Sequence, residues 1–248
     1  MSPWSLIGLM LGVLLLGWLG HRALRALDQA HIADWGGRWV NRIDGFNRLF
    51  CHRFHRLAAD DLPLPESGPA LVVANHVSGL DPLLLCAASR RPLRFIIAAE
   101  QYHRFGLHWL FRAAGCIPVD RGGRPERAFR EALKALAAGE VVALFPHGTI
   151  HLDSEPPRPL KRGVARLAQL ADCPVYPVRL EGIRGEGQVV LAAFRRGRPR
   201  LTSHAPINCH QLSDGDCLRY ISEYIEPHRK QPFSPPMNAN GRKSGSGT

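Results

Sequence analysis

The chain has 248 residues, of which 45% are hydrophobic and 21% are charged. This is the composition of an ordinary folded protein, so it excludes a fully disordered chain, a collagen and a multi-span membrane bundle. The 32 Lys and Arg residues outnumber the 21 Asp and Glu residues, and the formal net charge is +11. Such a charge implies an anionic partner: nucleic acid, an anionic membrane surface or an anionic substrate. The sequence carries no recognised nucleic-acid motif, so we expect no nucleic-acid partner.

The N-terminal segment carries no charged side chain from Trp4 to Gly20. As a helix it would be about 26 Å long, the lower limit for crossing a bilayer, so it either spans the membrane or dips into it. A cleaved signal peptide is disfavoured because no Lys or Arg precedes the apolar run. Arg22 and Arg25 follow it, and the positive-inside rule then puts the rest of the chain on the cytoplasmic side. We therefore expect residues 1–21 to anchor the protein at the cytoplasmic face of the inner (plasma) membrane.

Large apolar and aromatic residues recur at helical spacing in the next segment, residues 22–62. The pattern predicts an amphipathic helix with most arginines off the apolar stripe, bent at Gly45. Because an apolar anchor precedes it, we interpret the stripe as lying at the bilayer interface; the alternative is a helix that covers the protein's own core. The stripe comprises Trp35, Trp39, Ile43, Phe46, Phe50, Phe54 and Leu57, and the arginines are Arg38, Arg42, Arg48, Arg53 and Arg56.

Short apolar, β-rich runs alternate with helical stretches over residues 63–230. This alternation predicts an α/β fold, a single domain with a largely parallel sheet covered by helices. A last helix is predicted to begin after Ser213, with Asp216 as a capping partner, and to stop at Pro227. Residues 231–248 are rich in Pro, Ser, Gly and Asn and are expected to be a disordered tail. The strands are predicted at 70–74, 93–98, 116–119, 141–145, 175–180 and 189–194, and the other helices at 82–88, 126–138 and 163–171.

The six cysteines form no C-x-x-C pair, and their spacings fit no zinc pattern. Several lie in apolar or strand-like runs, so the sequence predicts reduced, partly buried thiols in a domain that faces the cytosol. They are Cys51, Cys86, Cys116, Cys173, Cys209 and Cys217.

The loop 75–82 follows the first strand of this domain, and sites in α/β sheets lie at the carboxyl ends of strands. His76 and Asp81 are close enough for the carboxylate to hold one ring nitrogen while the other takes a proton from a substrate hydroxyl. Asp81 also precedes Pro82, so helix capping is a compatible interpretation. Ser78 lies in no Gly-x-Ser-x-Gly elbow, which disfavours it as a nucleophile.

Other short motifs follow later strands, and each is weak when taken singly. Taken together with the loop 75–82, their order and spacing resemble those of the PlsC-type glycerolipid acyltransferases, a family typified by 1-acylglycerol-3-phosphate acyltransferase. The Asn-His-x-Ser-x-x-Asp motif of that family, which holds its His-x4-Asp pair, is matched by Asn75, His76, Ser78 and Asp81. The Gly-x-Ile-x-x-x-Arg motif is matched by Gly115, Ile117 and Arg121, the Phe-Pro-Glu-Gly-Thr motif by Phe145, Pro146, Gly148 and Thr149, and the Val-Pro-Val-x-Pro-Val-like strand by residues 174–178.

The resemblance implies an acyltransferase that moves a fatty acyl group from acyl-CoA or acyl-carrier protein to the free hydroxyl of a lysophospholipid. The first expectation is 1-acylglycerol-3-phosphate giving phosphatidic acid at an anionic membrane surface. His76 is expected to act as general base and Asp81 to orient it, with no acyl-enzyme because the nucleophile belongs to the substrate. Backbone N–H groups at the start of the following helix are expected to stabilise the oxyanion. No metal and no cofactor besides the acyl donor are expected. The expected substrate-binding residues are Asn75, Ser78, Arg121, His147, Gly148, Thr149 and Lys161.

The sequence departs from the family pattern in its third motif, where His147 replaces the family's Glu and Ile150 and His151 follow. This exchange favours, as an alternative, a different acceptor: another lysophospholipid or a lyso-aminolipid. A metal pair of His147 and His151 is disfavoured, because helical context and a third ligand are missing. Two other classes remain as alternatives, a membrane-bound hydrolase that uses Ser78 and a non-enzymatic basic module.

Overall fold

The computed structural model describes residues 3–226, so the predicted tail 231–248 and the helix stop at Pro227 lie outside the described residues. The strands of this part are β1 (Ala58–Ala59), β2 (Ala70–Ala74), β3 (Leu93–Ala98), β4 (Ile117–Val119), β5 (Val141–Leu144), β6 (Val175–Glu181) and β7 (Arg200–Ser203). They form one sheet in the order β1-β7-β6-β2-β5-β3-β4. Neighbouring strands are parallel except β6 and β7, so the predicted largely parallel sheet is confirmed.

Helices cover both faces of this sheet. The helices of the described residues are α1 (Pro3–Ala30), α2 (Arg38–Leu49), α3 (Asp81–Ala88), α4 (Ala99–Tyr102), α5 (His108–Ala113), α6 (Pro125–Ala137), α7 (Gly163–Leu170) and α8 (Asp214–Ile225), with a π-helical turn at Phe50–Phe54 and 3-10 turns at Leu191–Phe194 and Cys209–Gln211. The side chain of Ser213 accepts a hydrogen bond from the backbone N–H of Asp216, so the predicted start of the last helix is confirmed.

The central strands are apolar on both sides because both sides are covered. Every residue of β2 and β5 is buried. Val72 packs with α3 on one face, and Leu71 and Val73 pack with α6, α7 and α8 on the other. The carboxyl ends of β2 and β5 therefore meet at the middle of one sheet edge, and the loops after them lie side by side.

The predicted strand 189–194 is wrong. Residues Leu191–Phe194 form a 3-10 turn, and the sheet edge that such a strand would need is taken by β7, which pairs antiparallel with β6. Neither β7 nor the two-residue β1 was predicted, because β1 is very short and β7 alternates exposed polar residues with one buried leucine, so both give a weak apolar signal.

One continuous helix, α1, crosses residue 21, where the sequence analysis divided the anchor from the amphipathic segment. It runs through Arg22 and Arg25 to Ala30, a length of about 42 Å. Trp4–Ala30 is long and apolar enough to cross a membrane, with a mean hydropathy of 1.7, and none of its most apolar window is buried.

The helix α2 packs closely against the end of α1. Arg42 donates two hydrogen bonds to Asp28, at 2.7 and 2.9 Å. Gly45 lies inside the unbroken helix α2 and lets the two backbones touch, because a Cβ there would lie 2.1 Å from the carbonyl oxygen of Leu27.

Arg42 and Arg48, two of the arginines predicted to lie off the apolar stripe, are both buried, whereas Trp39 and Phe46 of the stripe are exposed. Arg48 pairs with Asp44 at 2.8 Å and donates to the last carbonyls of α3, those of Cys86, Ala87 and Ser89. A cation at a helix C-terminus satisfies carbonyls that have no partner inside the helix. Arg48 thereby fixes the helix that begins at Asp81.

We expect the substitution Arg48→Met to lower the free energy of unfolding by about 3–5 kcal/mol, because Asp44 and the α3 carbonyls lose a buried partner. For a chain of this size this corresponds to a decrease in Tm of roughly 6–20 °C. Thermal unfolding of the detergent-solubilised protein measures it, with the exposed Arg166→Met as matched control. A decrease no larger than that of the control would contradict this role.

The expectation of six reduced thiols is wrong for one pair, since Cys209 and Cys217 form a disulfide with Cα atoms 5.3 Å apart. Disulfides persist mainly in oxidising compartments, so this pair gives no support to a cytosolic placement. The other four cysteines are free. Burial raises the pKa of Cys51 to about 12 and those of Cys116 and Cys173 to about 11, which keeps these thiols protonated.

Candidate functional site

The loop after β2 brings His76 and Asp81 into direct contact. Nδ1 of His76 and Oδ2 of Asp81 are 2.8 Å apart, so the predicted pairing is confirmed. The Asp81 side chain is fully buried, whereas that of His76 is 18% exposed. The carboxylate of the pair is therefore enclosed by protein, whereas solvent reaches the imidazole.

The hydrogen bonds of Asp81 define which nitrogen of His76 carries the hydrogen. Its Oδ2 also accepts the backbone N–H groups of Val77 and Ser78, at 2.7 and 2.9 Å, and its Oδ1 accepts the Ser78 hydroxyl at 2.7 Å. A carboxyl group that only accepts is ionised, so the hydrogen in the contact with His76 belongs to Nδ1. Nε2 then carries the lone pair, and among residues 3–226 nothing hydrogen-bonds to it.

Two neighbouring segments hold the imidazole in place. The ring of Phe145, at the end of β5, stacks on that of His76 with centroids 4.0 Å apart and planes 13° apart. The backbone N–H of His151 donates to the carbonyl of His76 at 2.8 Å. The sequence identified Phe145 as a motif residue but gave no signal of the stacking.

Asp81 is not a helix cap. It is the first residue of α3, and its carboxylate binds the N–H groups of the preceding loop rather than those of the helix. The expected oxyanion donors are also absent from this turn, because Leu83 and Leu84 both donate to the carbonyl of Leu80, and Pro82 has no N–H.

Asn75 and Ser78 were predicted to bind substrate, but both are buried and bonded within the protein. The Asn75 amide donates to the carbonyl of Leu180 at 2.9 Å and accepts its N–H at 2.7 Å, which ties the loop to β6. The Ser78 hydroxyl donates to Asp81 and accepts the backbone N–H of Leu80 at 3.2 Å. Both therefore hold the loop 75–82 in place.

Arg121 lies apart from this group. It follows β4, three strands away from β2, which is a separation of about 14 Å across the sheet. Its side chain is partly exposed and 3.9 Å from Glu100. Arg121 shares the sheet edge with His76, and its ion-pair partner among residues 3–226 is Glu100 rather than a residue of the loop 75–82.

The loop after β5 carries a nearer pair of cations. The ammonium of Lys161 lies over Gly148, where a Cβ would come within 2.5 Å of Nζ, and Gly148 has a φ of +76° that also favours glycine. Arg158 donates to the hydroxyl of Thr149 at 3.0 Å. The sequence gave no signal for Arg158, which lies in a Pro-rich run without periodicity.

His147 points into the protein. Its side chain is only 2% exposed, and neither ring nitrogen has a hydrogen-bond partner among the described residues. Nε2 lies 3.4 Å from a carboxylate oxygen of Glu226, and the ring centroid is 4.5 Å from that of His151.

A cavity of about 180 Å³ lies beside this histidine and Asn75. The cavity adjoins the loop 75–82 at Asn75, and His76 does not line it. Its polar lining consists of Asn75, His147, His151, Asp153, Glu155 and Glu226. Within residues 3–226, no three His, Cys, Asp or Glu side chains are grouped to hold a metal ion.

Comparison with known proteins identifies the family and the fold. The model of the Acyltransferase family matches residues 58–181, half of the chain. An N-acylphosphatidylethanolamine synthase from Arabidopsis thaliana is 33% identical over 145 residues, 54% of this chain and 50% of that protein. A probable 1-acyl-sn-glycerol-3-phosphate acyltransferase from Mycoplasma genitalium is 31% identical over 137 residues, 52% of this chain and 50% of that protein.

Among solved structures, the 1-acyl-sn-glycerophosphate (LPA) acyltransferase PlsC from Thermotoga maritima matches with a TM-score of 0.64 and 25% identity. The match covers 76% of this chain and 77% of that chain. The chain spans about half the length of the two curated relatives described above.

Proposed function

The chain belongs to the acyltransferase family, and on this premise we propose that it acylates the free hydroxyl of a lysophospholipid. The donor is acyl-CoA or acyl-carrier protein, and the first acceptor is 1-acylglycerol-3-phosphate, which gives phosphatidic acid. The observation that carries this proposal is the contact between His76 and Asp81, with Nε2 open to the outside.

In the proposed reaction His76 is the general base. Nε2 takes the proton of the acceptor hydroxyl while its oxygen attacks the thioester carbonyl, a transfer typically worth about 10²–10⁴-fold in rate. The tetrahedral intermediate collapses with cleavage of the C–S bond, and the imidazolium returns the proton to the thiolate. The Asp81 carboxylate stabilises the imidazolium and holds its orientation, and it stays ionised throughout.

Lys161 and Arg158 are the proposed partners of the acceptor phosphate. Both lie on the loop after β5, the strand next to β2, whereas Arg121 follows β4, a strand about 14 Å from β2 across the sheet. A phosphate prefers several N–H donors and positive charge, which these two side chains offer. Arg121 is then a partner for a more distant anionic group of the donor or the lipid surface.

The proposed site of action is a membrane surface with anionic lipids. The apolar helix α1 and the net charge of +11 support it. The acceptor and product are lipids, so an enzyme held at the bilayer meets both without extracting them into water. The proposal places the enzyme on the cytoplasmic face of the membrane, because Arg22 and Arg25 follow the apolar run and positive charge favours that side.

A lyso-aminolipid acceptor is the second candidate. Glu155 and Glu226 line the cavity beside Asn75, and carboxylates suit a small cation such as an amine. One relative is named for an ethanolamine lipid, N-acylphosphatidylethanolamine. His147, in place of the family's Glu, lies against this cavity.

An acceptor panel tests both candidates. Purified full-length protein is given a long-chain acyl donor with 1-acylglycerol-3-phosphate, lysophosphatidylethanolamine or lysophosphatidylglycerol in lipid bilayers, with His76→Ala as control. The proposal expects the highest kcat/KM for 1-acylglycerol-3-phosphate. A higher value for lysophosphatidylethanolamine would establish the second candidate, and no transfer to any acceptor would refute both.

For Ser78→Ala we expect a loss of about 1–3 kcal/mol in stability and a decrease in kcat of less than about tenfold, because the bonds of the hydroxyl to Asp81 and to the backbone N–H of Leu80 are lost while the imidazole of His76 stays in place. A hydrolase that used Ser78 as nucleophile would instead lose its turnover. Thermal unfolding and the transfer assay separate the two outcomes. Loss of all activity in a well-folded Ser78→Ala protein would contradict the proposed direct transfer.

A further inference from the structure

A group of exposed apolar side chains lies beside the catalytic loop, on the segment 182–199 between β6 and β7. We call this segment the 182–199 loop. Leu191 is 58% exposed and Phe194 is 73% exposed, and about half of Val189 and of Val190 is exposed. Neighbouring apolar residues left in water are costly, so such a group marks a contact surface.

The 182–199 loop packs directly on the catalytic loop. The carbonyl of Gln188 accepts the N–H of Gly79 at 3.0 Å, and the carbonyl of Val77 accepts the N–H of Gly187 at 2.8 Å. A Cβ at Gly79 would lie 1.9 Å from the carbonyl oxygen of Val189, so only glycine allows this approach. Any surface that the apolar residues touch is therefore next to His76.

The same loop is joined to the π-helical turn that follows α2. Nε of Arg196 donates to the carbonyl of Phe54, and Nε2 of His55 donates to that of Ala193, both at 3.0 Å. The topology requires this closeness: β1 and β7 run opposite to β6, so the segments before them lie at the carboxyl edge of β2. Exposed aromatic rings continue the surface along the turn and α2, with Phe46 stacked on Phe50 and Phe50 on Phe54.

Charge and continuity indicate what covers this surface. Exposed arginines flank the apolar residues on both segments, and α2 leads directly back to the exposed, apolar α1. An apolar centre with a basic rim fits the interface of an anionic bilayer, where rings and aliphatic chains enter the headgroup region and guanidinium groups meet lipid phosphates. The flanking arginines are Arg53, Arg56, Arg195, Arg196 and Arg198.

We propose that the 182–199 loop is a second membrane-contact element, separate from the N-terminal helix, which enters the headgroup region of an anionic bilayer through Leu191 and Phe194. It holds the open side of His76 against the lipid surface. This inference goes beyond the proposed function, because it does not depend on which lipid is acylated.

A depth measurement tests the proposal without using enzyme activity. An NBD fluorophore is attached at Leu191→Cys in the full chain, and the protein is reconstituted into phosphatidylcholine–phosphatidylglycerol bilayers with or without headgroup-region nitroxide lipids. The matched control is Leu170→Cys, which is 60% exposed at the end of α7, at the opposite sheet edge. The protein without added cysteine corrects for labelling of native thiols.

We expect strong quenching at position 191 and little at position 170. Equal quenching at the two positions would overturn the proposal, even if the protein proves to be an active acyltransferase. In the second test, the double variant Leu191→Ser, Phe194→Ser should acylate a bilayer-embedded acceptor about tenfold or more slowly, with its rate on a water-soluble short-chain acceptor unchanged. An equal loss on both acceptors, or no loss on either, would also overturn it.

Discussion

The substitution His76→Ala is expected to lower kcat by about 10²–10⁴-fold, because the acceptor hydroxyl then has no base to take its proton. The structure supplies no substitute, since among residues 3–226 no other imidazole is bonded to the Asp81 carboxylate. The ring is partly exposed, so its removal leaves the core intact. The rate of acyl transfer at saturating donor and acceptor measures this effect.

The control for this variant is Ser78→Ala, which alters the same loop but leaves the imidazole in place. Circular dichroism and the thermal transition should be close to those of the unsubstituted protein for His76→Ala. A folded His76→Ala protein that keeps more than about a tenth of the wild-type kcat would show that another group is the base.

The substitution Asp81→Ala is expected to reduce both activity and stability. The activity decreases by about 10²–10⁴-fold, because the imidazole loses its orientation and the charge that stabilises its protonated form. The free energy of unfolding decreases by about 3–5 kcal/mol, because two backbone N–H groups and the Ser78 hydroxyl are left buried without their acceptor.

Two controls separate these effects. Asp120→Ala removes a carboxylate that also accepts two backbone N–H groups, those of Gly122 and Gly123, but at an exposed position, so its cost should stay within about 1 kcal/mol. In the double variant His76→Ala, Asp81→Ala the activity should be no lower than in His76→Ala alone, since Asp81 acts through the imidazole. Additive losses of activity would contradict this positioning role.

The sequence predicted the centre of the fold because that centre is unambiguous at the level of pattern. The run Ala-Leu-Val-Val-Ala of β2 is apolar on both faces, which only a covered central strand allows. The strand prediction was wrong at 189–194, where an equally apolar run has no strand partner and most of its side chains are exposed. Local pattern does not specify which sheet edge is already taken, so this difference follows from tertiary structure alone.

In the site, the contact between His76 and Asp81 was predictable from sequence, but the partners of the residues around them were not. The spacing of His76 and Asp81 implied their contact, because a turn of that length brings the two side chains together. The tasks of the surrounding residues were not predictable, since Asn75 and Ser78 look like ligand-binding groups until their partners Leu180 and Asp81 are known. Arg48 is a similar case, because a charged residue is expected to be exposed unless its partners, here Asp44 and the carbonyl of Ala87, are known.

The central claim is that His76 activates the lipid hydroxyl for direct attack on the donor. Its most direct test follows product formation and the intact mass of the protein together, with acyl donor alone and then with 1-acylglycerol-3-phosphate added. The account predicts that product forms only once the acceptor is present, that the protein mass never changes, and that folded His76→Ala forms product at least about 10²-fold more slowly. A stoichiometric acyl adduct on the protein that turns over to product, or a wild-type rate in His76→Ala, would contradict it.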